Sequence, residues 1–179
     1  MEKQELEVCI NAYGKALYSF CRQLAGNRQE ADELYQDTFL RAMELSEKVD
    51  YTGNPKSYLL SVALRIWKNR RRKFAWRKRI ADMQPIVEGQ DVESVASTEP
   101  SPEEQVIGKE EQAVVRQAVD KLPERLKLVV LLFYMEELSV KQTAEILKIP
   151  AGTVLSRLHQ ARKTLKKELE SVINGKGTG

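Results

Sequence analysis

Apolar residues recur along the chain at helical spacing, β-branched runs are short, and the pattern predicts a succession of amphipathic helices. The first runs from about Gln4 to Leu24, with Leu6, Cys9, Ile10, Tyr13, Leu17, Phe20 and Leu24 as its stripe. Gly26 and Asn27 end it, and Asn27 with Glu30 forms a capping box for a second helix through Leu45. That helix turns Ala31, Leu34, Tyr35, Thr38, Phe39 and Ala42 inward and leaves Asp32, Glu33, Gln36, Asp37 and Arg41 for solvent or a partner. Asp50, Gly53, Asn54 and Pro55 break the pattern as loop formers. A third helix starts near Pro55, capped by Asn54, with Leu59, Val62, Ala63 and Ile66 inward. The period is lost from Asp82 to Glu104, and then Val106, Ala113, Val114 and Val119 lead to Leu122. Pro123 opens PERLKLVVLLFYMEEL, with Leu126, Val129, Val130, Leu132 and Phe133 buried. This segment is apolar on much of its circumference, so it forms the centre of a small C-terminal domain.

The stretch from Leu138 to Leu169 reads as helix, short turn, helix. Ser139 and Gln142 make a second capping box, and Val140, Ala144 and Leu147 follow at helical spacing. Lys148 and Ile149 fill the break, and Pro150 suits the first turn of the next helix. There Val154, Leu158, Ala161 and Leu165 share one face. The other faces carry Thr153, Leu155, Ser156, Arg157, His159, Gln160, Arg162 and Lys163, with almost no acid. A phosphate backbone selects for that composition, and the short loop and small Ala144 favour a DNA-binding helix-turn-helix over an ordinary hairpin. The tail, Asn174 to Gly179, is expected to be disordered.

Charge changes the picture more by its distribution than by its sum, a net charge of only +3. Arg65 to Arg79 holds nine Lys or Arg residues and no acid, with Trp67, Phe74 and Trp76 between them. Cations neutralise phosphates and aromatic rings offer flat surfaces to unpaired bases, so this run favours nucleic acid over a membrane surface or plain solubility. Trp67 fits either the core or the platform. Asp82 to Glu104 inverts the balance, with seven acids, no Lys or Arg, and Pro85, Gly89, Pro100 and Pro102. Composition makes it a flexible linker and leaves two uses open, solubility or mimicry of a polyanion in a nucleic-acid channel.

Cys9 and Cys21 lie on one helix, about 18 Å apart along its axis, too far for a disulfide within it. They read as buried thiols in a reducing cytoplasm. The lone His159 has no partner constellation, so no metal, cofactor or catalytic residue is expected. The polar, acidic N-terminus lacks the regions of a signal peptide, and no apolar run approaches the roughly 20 residues of a membrane span. A cytoplasmic protein without membrane insertion is expected.

The order of these parts resembles a bacterial RNA polymerase sigma factor of the extracytoplasmic-function group. Two motifs carry the likeness: EADELYQDTFLRA, Glu30 to Ala42, and LPERLKLVVLLFYMEELSVKQTAEILKIPAGTVLSRLHQARKTL. The resemblance implies an all-α fold of two small helical domains joined by a flexible acidic linker, the C-terminal one a helix-turn-helix. Residues 1–81 would be region 2, 82–104 the linker and 105–173 region 4. Leu34, Gln36, Asp37 and Phe39 would bind the clamp helices of the largest subunit of core RNA polymerase. The loop and helix from Asp50 to Asn69 would recognise and open the −10 element, with Tyr58, Arg65, Lys68, Asn69 and Arg70 on the strand. Thr153, Leu155, Ser156, Arg157, His159, Gln160, Arg162 and Lys163 would lie on the −35 duplex of the promoter DNA. The linker would thread the polymerase cleft toward the RNA exit path, which gives its acids the polyanion reading. Members are commonly held inactive by an anti-sigma protein, so the resemblance adds one as a candidate partner, although no residue here identifies it.

Three departures bear on promoter sequence. The family often has Trp at the position of Tyr58, Arg and Asn at those of Ser61 and Arg65, and Lys or Arg at those of Leu155 and Gln160. Leu155 can meet a thymine methyl and Gln160 can pair with adenine. A competing reading, a stand-alone helix-turn-helix regulator, leaves the Asp37 segment and the basic aromatic helix without a task. A small nuclease is a third, and scattered helical acids form no metal cluster for it.

Overall fold

The computed structural model describes residues 3–45, 54–83 and 109–176, and among these every regular element is helical. The chain divides into two compact units, one on each side of residues 98–99.

The first unit packs α1 (Lys3–Leu24), α2 (Arg28–Leu45) and α3 (Pro55–Met83) against one another. Leu17, Phe20 and Cys21 of α1, Ala31, Leu34 and Phe39 of α2, and Leu59, Leu60 and Ala63 of α3 form its core. The caps stand where the side chains place them. Asn27 accepts the Glu30 N–H at 2.9 Å, while the Glu30 carboxylate accepts the Gly26 N–H at 3.2 Å. Asn54 accepts the Ser57 N–H at 3.0 Å. Thr38, the buried hydroxyl of α2, donates to the Leu34 carbonyl at 2.6 Å, so its burial leaves no orphaned donor. Tyr18, Tyr35 and Phe39 stack edge to face in series, with centroids 5.5 and 5.1 Å apart. Gly14 admits this cluster, because a Cβ there would stand 2.9 Å from the Tyr35 hydroxyl. Ile10, expected on the α1 stripe, is 39 % exposed.

The 29 residues of α3 span about 43 Å, longer than the bundle that supports them. Its first half is packed, and every residue from Arg71 to Asp82 is exposed. The start of the expected acidic linker, residues 82 and 83, is therefore helix, and residues 84–104 lie outside the described ones, as do Asp50 to Gly53.

The second unit comprises α4 (Lys109–Asp120), α5 (Glu124–Val130), a π-helical turn (Leu131–Met135), α6 (Val140–Leu147) and α7 (Ala151–Lys176). Leu126 and the whole run Leu128 to Leu132 are buried, which puts α5 at the centre of the core. The expected single helix through Leu138 is a seven-residue α-helix that widens into the π turn. From Phe133 to Met135 the chain turns outward, with Tyr134 and Met135 exposed and Phe133 only half-buried, before Glu136 and Leu138 are buried again. Glu137, at φ 55°, reverses the backbone, and the Leu138 N–H donates to the Leu132 carbonyl at 3.1 Å. Ser139 then opens α6 with both bonds of the capping box, 3.0 Å from the Gln142 N–H and 2.9 Å to the Gln142 side-chain oxygen. Lys148, at φ 56°, closes α6, and the Pro150 carbonyl accepts the Thr153 and Val154 N–H groups of α7. Val154, Leu158 and Ala161 seat α7 on the core with no exposed surface. The helix runs on to Lys176, so residues 174–176 of the expected disordered tail are helical.

Candidate nucleic-acid interface

The long helix α7 turns a polar, partly cationic face away from the core. With Val154, Leu158 and Ala161 fixed inward, the helical step of about 100° per residue points Leu155, Ser156, His159, Gln160 and Lys163 away from the core. All five are exposed, Leu155 by 54 %. Arg162 and Arg157 fall on opposite flanks of that face, Arg162 exposed and Arg157 half-buried, and Thr153 is half-buried at the N-terminal end. A groove-facing centre with cations on both flanks suits a helix that reads base edges between two phosphate backbones. The Arg162 guanidinium lies 6.0 Å from the Tyr134 ring centroid, which ties this flank to the π turn.

On α3, Arg65 and Asn69 are exposed and Lys68 is half-buried. The helical step aligns Tyr58, Arg65, Asn69, Arg72 and Trp76 on one face. Trp76 is 64 % exposed, and Asn69 accepts from Arg72 at 2.8 Å. Phe74, 62 % exposed, lies across the helix from Trp76, so the two rings serve different sides. Trp67 is half-buried with the Arg71 guanidinium 4.9 Å from its centroid, which makes it partly a packing residue and partly a cation seat. Tyr58 is not a free platform. Its ring is half-buried, and its hydroxyl donates to the Ala42 carbonyl at 3.1 Å. Burial pushes the phenol above its ordinary value, against smaller opposing pulls from Arg65 and Arg41, so it remains a donor at neutral pH.

The α2 segment separates into two groups. Gln36 is exposed and Asp37 half-exposed, on a face with Glu33, one turn earlier, and the Arg41–Glu44 pair at 2.7 Å. Leu34 and Phe39 are buried, 1 % and 7 % exposed, on the side of Ala31 and Ala42. Leu34 and Phe39 lie on the inward face, as the helical pattern predicts, and hold the helix in place, while Gln36 and Asp37 reach the surface. Leu40, 55 % exposed and one turn beyond Gln36 and Asp37, joins that surface and was missed by the sequence reading. An apolar residue three places after an exposed Asp37 was the available signal. Asp37 also forms an ion pair with Arg70 of α3. This pair ties the exposed face of α2 to α3.

Cys9 and Cys21 are buried and form no disulfide, and burial together with Glu5 pushes the Cys9 thiol upward. Among the described residues no group of three His, Cys, Asp or Glu side chains could hold a metal, and no helix is long and apolar enough to cross a membrane.

The family model described as Sigma-70 region 2 matches residues 9–77, and that described as Sigma-70, region 4 matches residues 112–165. The ECF RNA polymerase sigma factor SigW of Bacillus subtilis is 29% identical over 167 residues, covering 91% of this chain and 88% of SigW. The RNA polymerase sigma factor HrpL of Pseudomonas syringae pv. syringae is 29% identical over 156 residues, covering 86% and 81%. The fold is similar to that of the sigma factor RpoE, solved in complex with the anti-sigma factor NepR from Bartonella quintana. The TM-score is 0.71 at 21% identity, over 94% of this chain and 96% of the other. Region 2 falls on the unit that holds the protruding basic helix and region 4 on the unit that holds the helix-turn-helix, in the order the family requires, and the chain belongs to the sigma-70 family of RNA polymerase sigma factors, in its extracytoplasmic-function group.

Proposed function

We propose that, as a sigma factor directing RNA polymerase to promoters, this chain divides the work between its two helical units. The observation that carries the reading is the match of two successive sigma-70 regions to two separate units of one chain. A stand-alone helix-turn-helix regulator would use only the second. Gln36 and Asp37, with Leu34 and Phe39 behind them, bind the clamp helices of core polymerase. Tyr58, Arg65, Lys68, Asn69 and Arg70 serve the −10 element during strand separation. Leu155, Ser156, His159, Gln160 and Lys163 face the −35 groove, with Thr153, Arg157 and Arg162 at its margins. Residues 1–81 act as region 2 and 105–173 as region 4. The acids of 82–104 run through the polymerase cleft as a polyanion mimic. The protein works in the cytoplasm without catalysis or a cofactor of its own. The RpoE neighbour was solved with an anti-sigma factor, and a protein of that class is a proposed partner here.

Start sites mapped by transcript sequencing after overproduction supply a promoter for the test. Core polymerase loaded with the purified chain should initiate there, on a fully duplex template and on one with a pre-opened −10 bubble. Tyr58→Ala should impair the duplex template more, because one stacked base contributes about 1–3 kcal/mol toward an unstacking cost of similar size. Equal losses on both templates, with a less stable first unit, would make Tyr58 a packing residue. Tight, specific promoter binding by the free chain, unchanged by core polymerase, would restore the stand-alone regulator.

A further inference from the structure

The ion pair between Asp37 and Arg70 joins residues 33 positions apart, on two helices that pack together. It rests on the sigma reading above, in which these two residues serve different partners: Asp37 the polymerase, Arg70 the opened strand. Neighbouring side chains have other seats. Arg65 and Asn69 face outward, Arg71 lies over the Trp67 ring, and Arg72 is bonded to Asn69. Arg70 lies on the flank of α3 that meets α2, and its guanidinium reaches the carboxylate one helix away. Both partners keep access to solvent, with side-chain exposures of 38% for Arg70 and 49% for Asp37. A macromolecule can therefore reach either one without unfolding the unit.

We propose that the Asp37–Arg70 pair is a hand-over point between core polymerase and the single-stranded −10 element. In the free chain the carboxylate occupies the guanidinium that would otherwise hold a strand phosphate. A donor from polymerase that engages Asp37 draws the carboxylate away and leaves Arg70 with its full charge for the strand. The coupling is reciprocal: a phosphate on Arg70 frees Asp37, so strand binding and core binding each strengthen the other by the same factor. An ion pair this open to solvent moves an equilibrium by a few-fold, enough to bias the order of events without forbidding either one. The device acts against binding of stray single strands by the chain alone.

The test is a cycle of full-length variants titrated with a short fluorescein-labelled poly-dT strand at low salt: wild type, Asp37→Asn, Arg70→Gln and the double variant. Glu33→Gln, which removes an acid one turn earlier on the same helix, measures the general effect of lost negative charge. Asp37→Asn should tighten binding by the free chain about three-fold, the scale of an exposed ion pair, and more than Glu33→Gln does. In the Arg70→Gln background Asp37→Asn should add no more than Glu33→Gln adds. With core polymerase at saturation the gain from Asp37→Asn should vanish, since the pair is already broken. Equal gains from Asp37→Asn with and without the Arg70→Gln change, or no gain at all, overturn the hand-over. Wild-type binding to core polymerase, measured in parallel, tests the sigma reading separately. A chain that binds core and initiates, while Asp37→Asn leaves strand affinity unchanged, is a sigma factor without this device.

Discussion

On α7 the five side chains that point away from the core are exposed, whereas on α3 Tyr58 is tied to the Ala42 carbonyl and Arg70 to the Asp37 carboxylate. In the function proposed above, the two surfaces meet different substrates. A −35 duplex presents a finished groove, so a rigid helix docks on it with little reorganisation on either side. An open −10 strand exists only after bases have unstacked, at a few kcal/mol each. In that reading Tyr58 and Arg70, held by Ala42 and Asp37 in the free chain, would change partners as the strand appears. In the first unit Tyr58 and Arg70 are also held by its own packing, whereas on α7 only the flanks, Arg162 over the Tyr134 ring and the half-buried Arg157, meet the rest of their unit.

The strongest way to break this comparison is to damage packing in the first unit. Phe39 is buried beneath the Asp37 face, edge to face with Tyr35, and Phe39→Ala should cost about 3–5 kcal/mol of stability. Both tryptophans, Trp67 and Trp76, lie on α3, so Trp fluorescence reports this unit alone. Its unfolding midpoint in urea should fall sharply, and core binding with it. Asp37→Ala should weaken core binding with little change in that midpoint. If Phe39→Ala weakens core binding at unchanged stability, the residue is a direct contact and the division made above on burial is wrong.

Next in size is readout on α7, where groove and flank residues should behave differently. Gln160→Ala, if Gln160 pairs with a base, should lower discrimination at one −35 position by about 1–3 kcal/mol. Arg162→Ala should weaken all duplexes alike and reduce the slope of log affinity against log salt by about 0.9. Binding isotherms of holoenzyme on promoter variants at several salt concentrations separate the two. A uniform loss from Gln160→Ala would remove its base contact.

How legible each unit was in the sequence follows the same division. The helix-turn-helix is local: Ser139 and Gln142 are three residues apart, and the stripe Val154, Leu158, Ala161 needs only the helical period. Its outward face could therefore be named residue by residue. The Asp37–Arg70 pair spans two helices and could not be seen from either, and the bond from Tyr58 to Ala42 depends on how α3 crosses α2. The motif grouped Leu34 and Phe39 with Gln36 and Asp37 because a motif records residues that must be kept, whether for contact or for packing. The π turn also escaped, since Leu131 to Met135 continues the apolar run and only the backbone shows that Tyr134 and Met135 turn outward. In Arg65 to Arg79 composition predicted a basic aromatic surface, and the structure added that α3 is exposed all round from Arg71 on, with Trp76 on the face of Tyr58 and Phe74 opposite.

A smaller effect tests how the groove helix is held. Ser139 satisfies the Gln142 N–H at the start of α6, and Ser139→Ala should cost about 1 kcal/mol. The loss should appear in the second unit, as a lower midpoint by far-UV circular dichroism with an unshifted Trp signal. Because α6 braces α7, −35 affinity should fall only as far as the folded fraction falls. A larger loss would mean that the cap also orients the recognition helix.

The smallest expected effect comes from the backbone between the π turn and the cap. Glu137 has φ 55°, in the left-handed region, where a Cβ crowds the following carbonyl at a cost of about 1–2 kcal/mol. Its side chain is exposed, so replacing it removes no packed contact. Glycine takes this conformation without strain, but gives back about 0.5–1 kcal/mol through the entropy of the unfolded chain. The balance for Glu137→Gly is a gain of about 0.5 kcal/mol in the second unit, seen as a higher circular-dichroism midpoint with the Trp transition unmoved. Its effect on DNA is the sharper measurement. If the −35 face is rigid and preformed, relieving strain at this turn should leave affinity for the −35 duplex unchanged while stability rises. Should affinity fall as stability rises, the second unit also adjusts its shape on binding. Its difference from the first unit would then be one of degree.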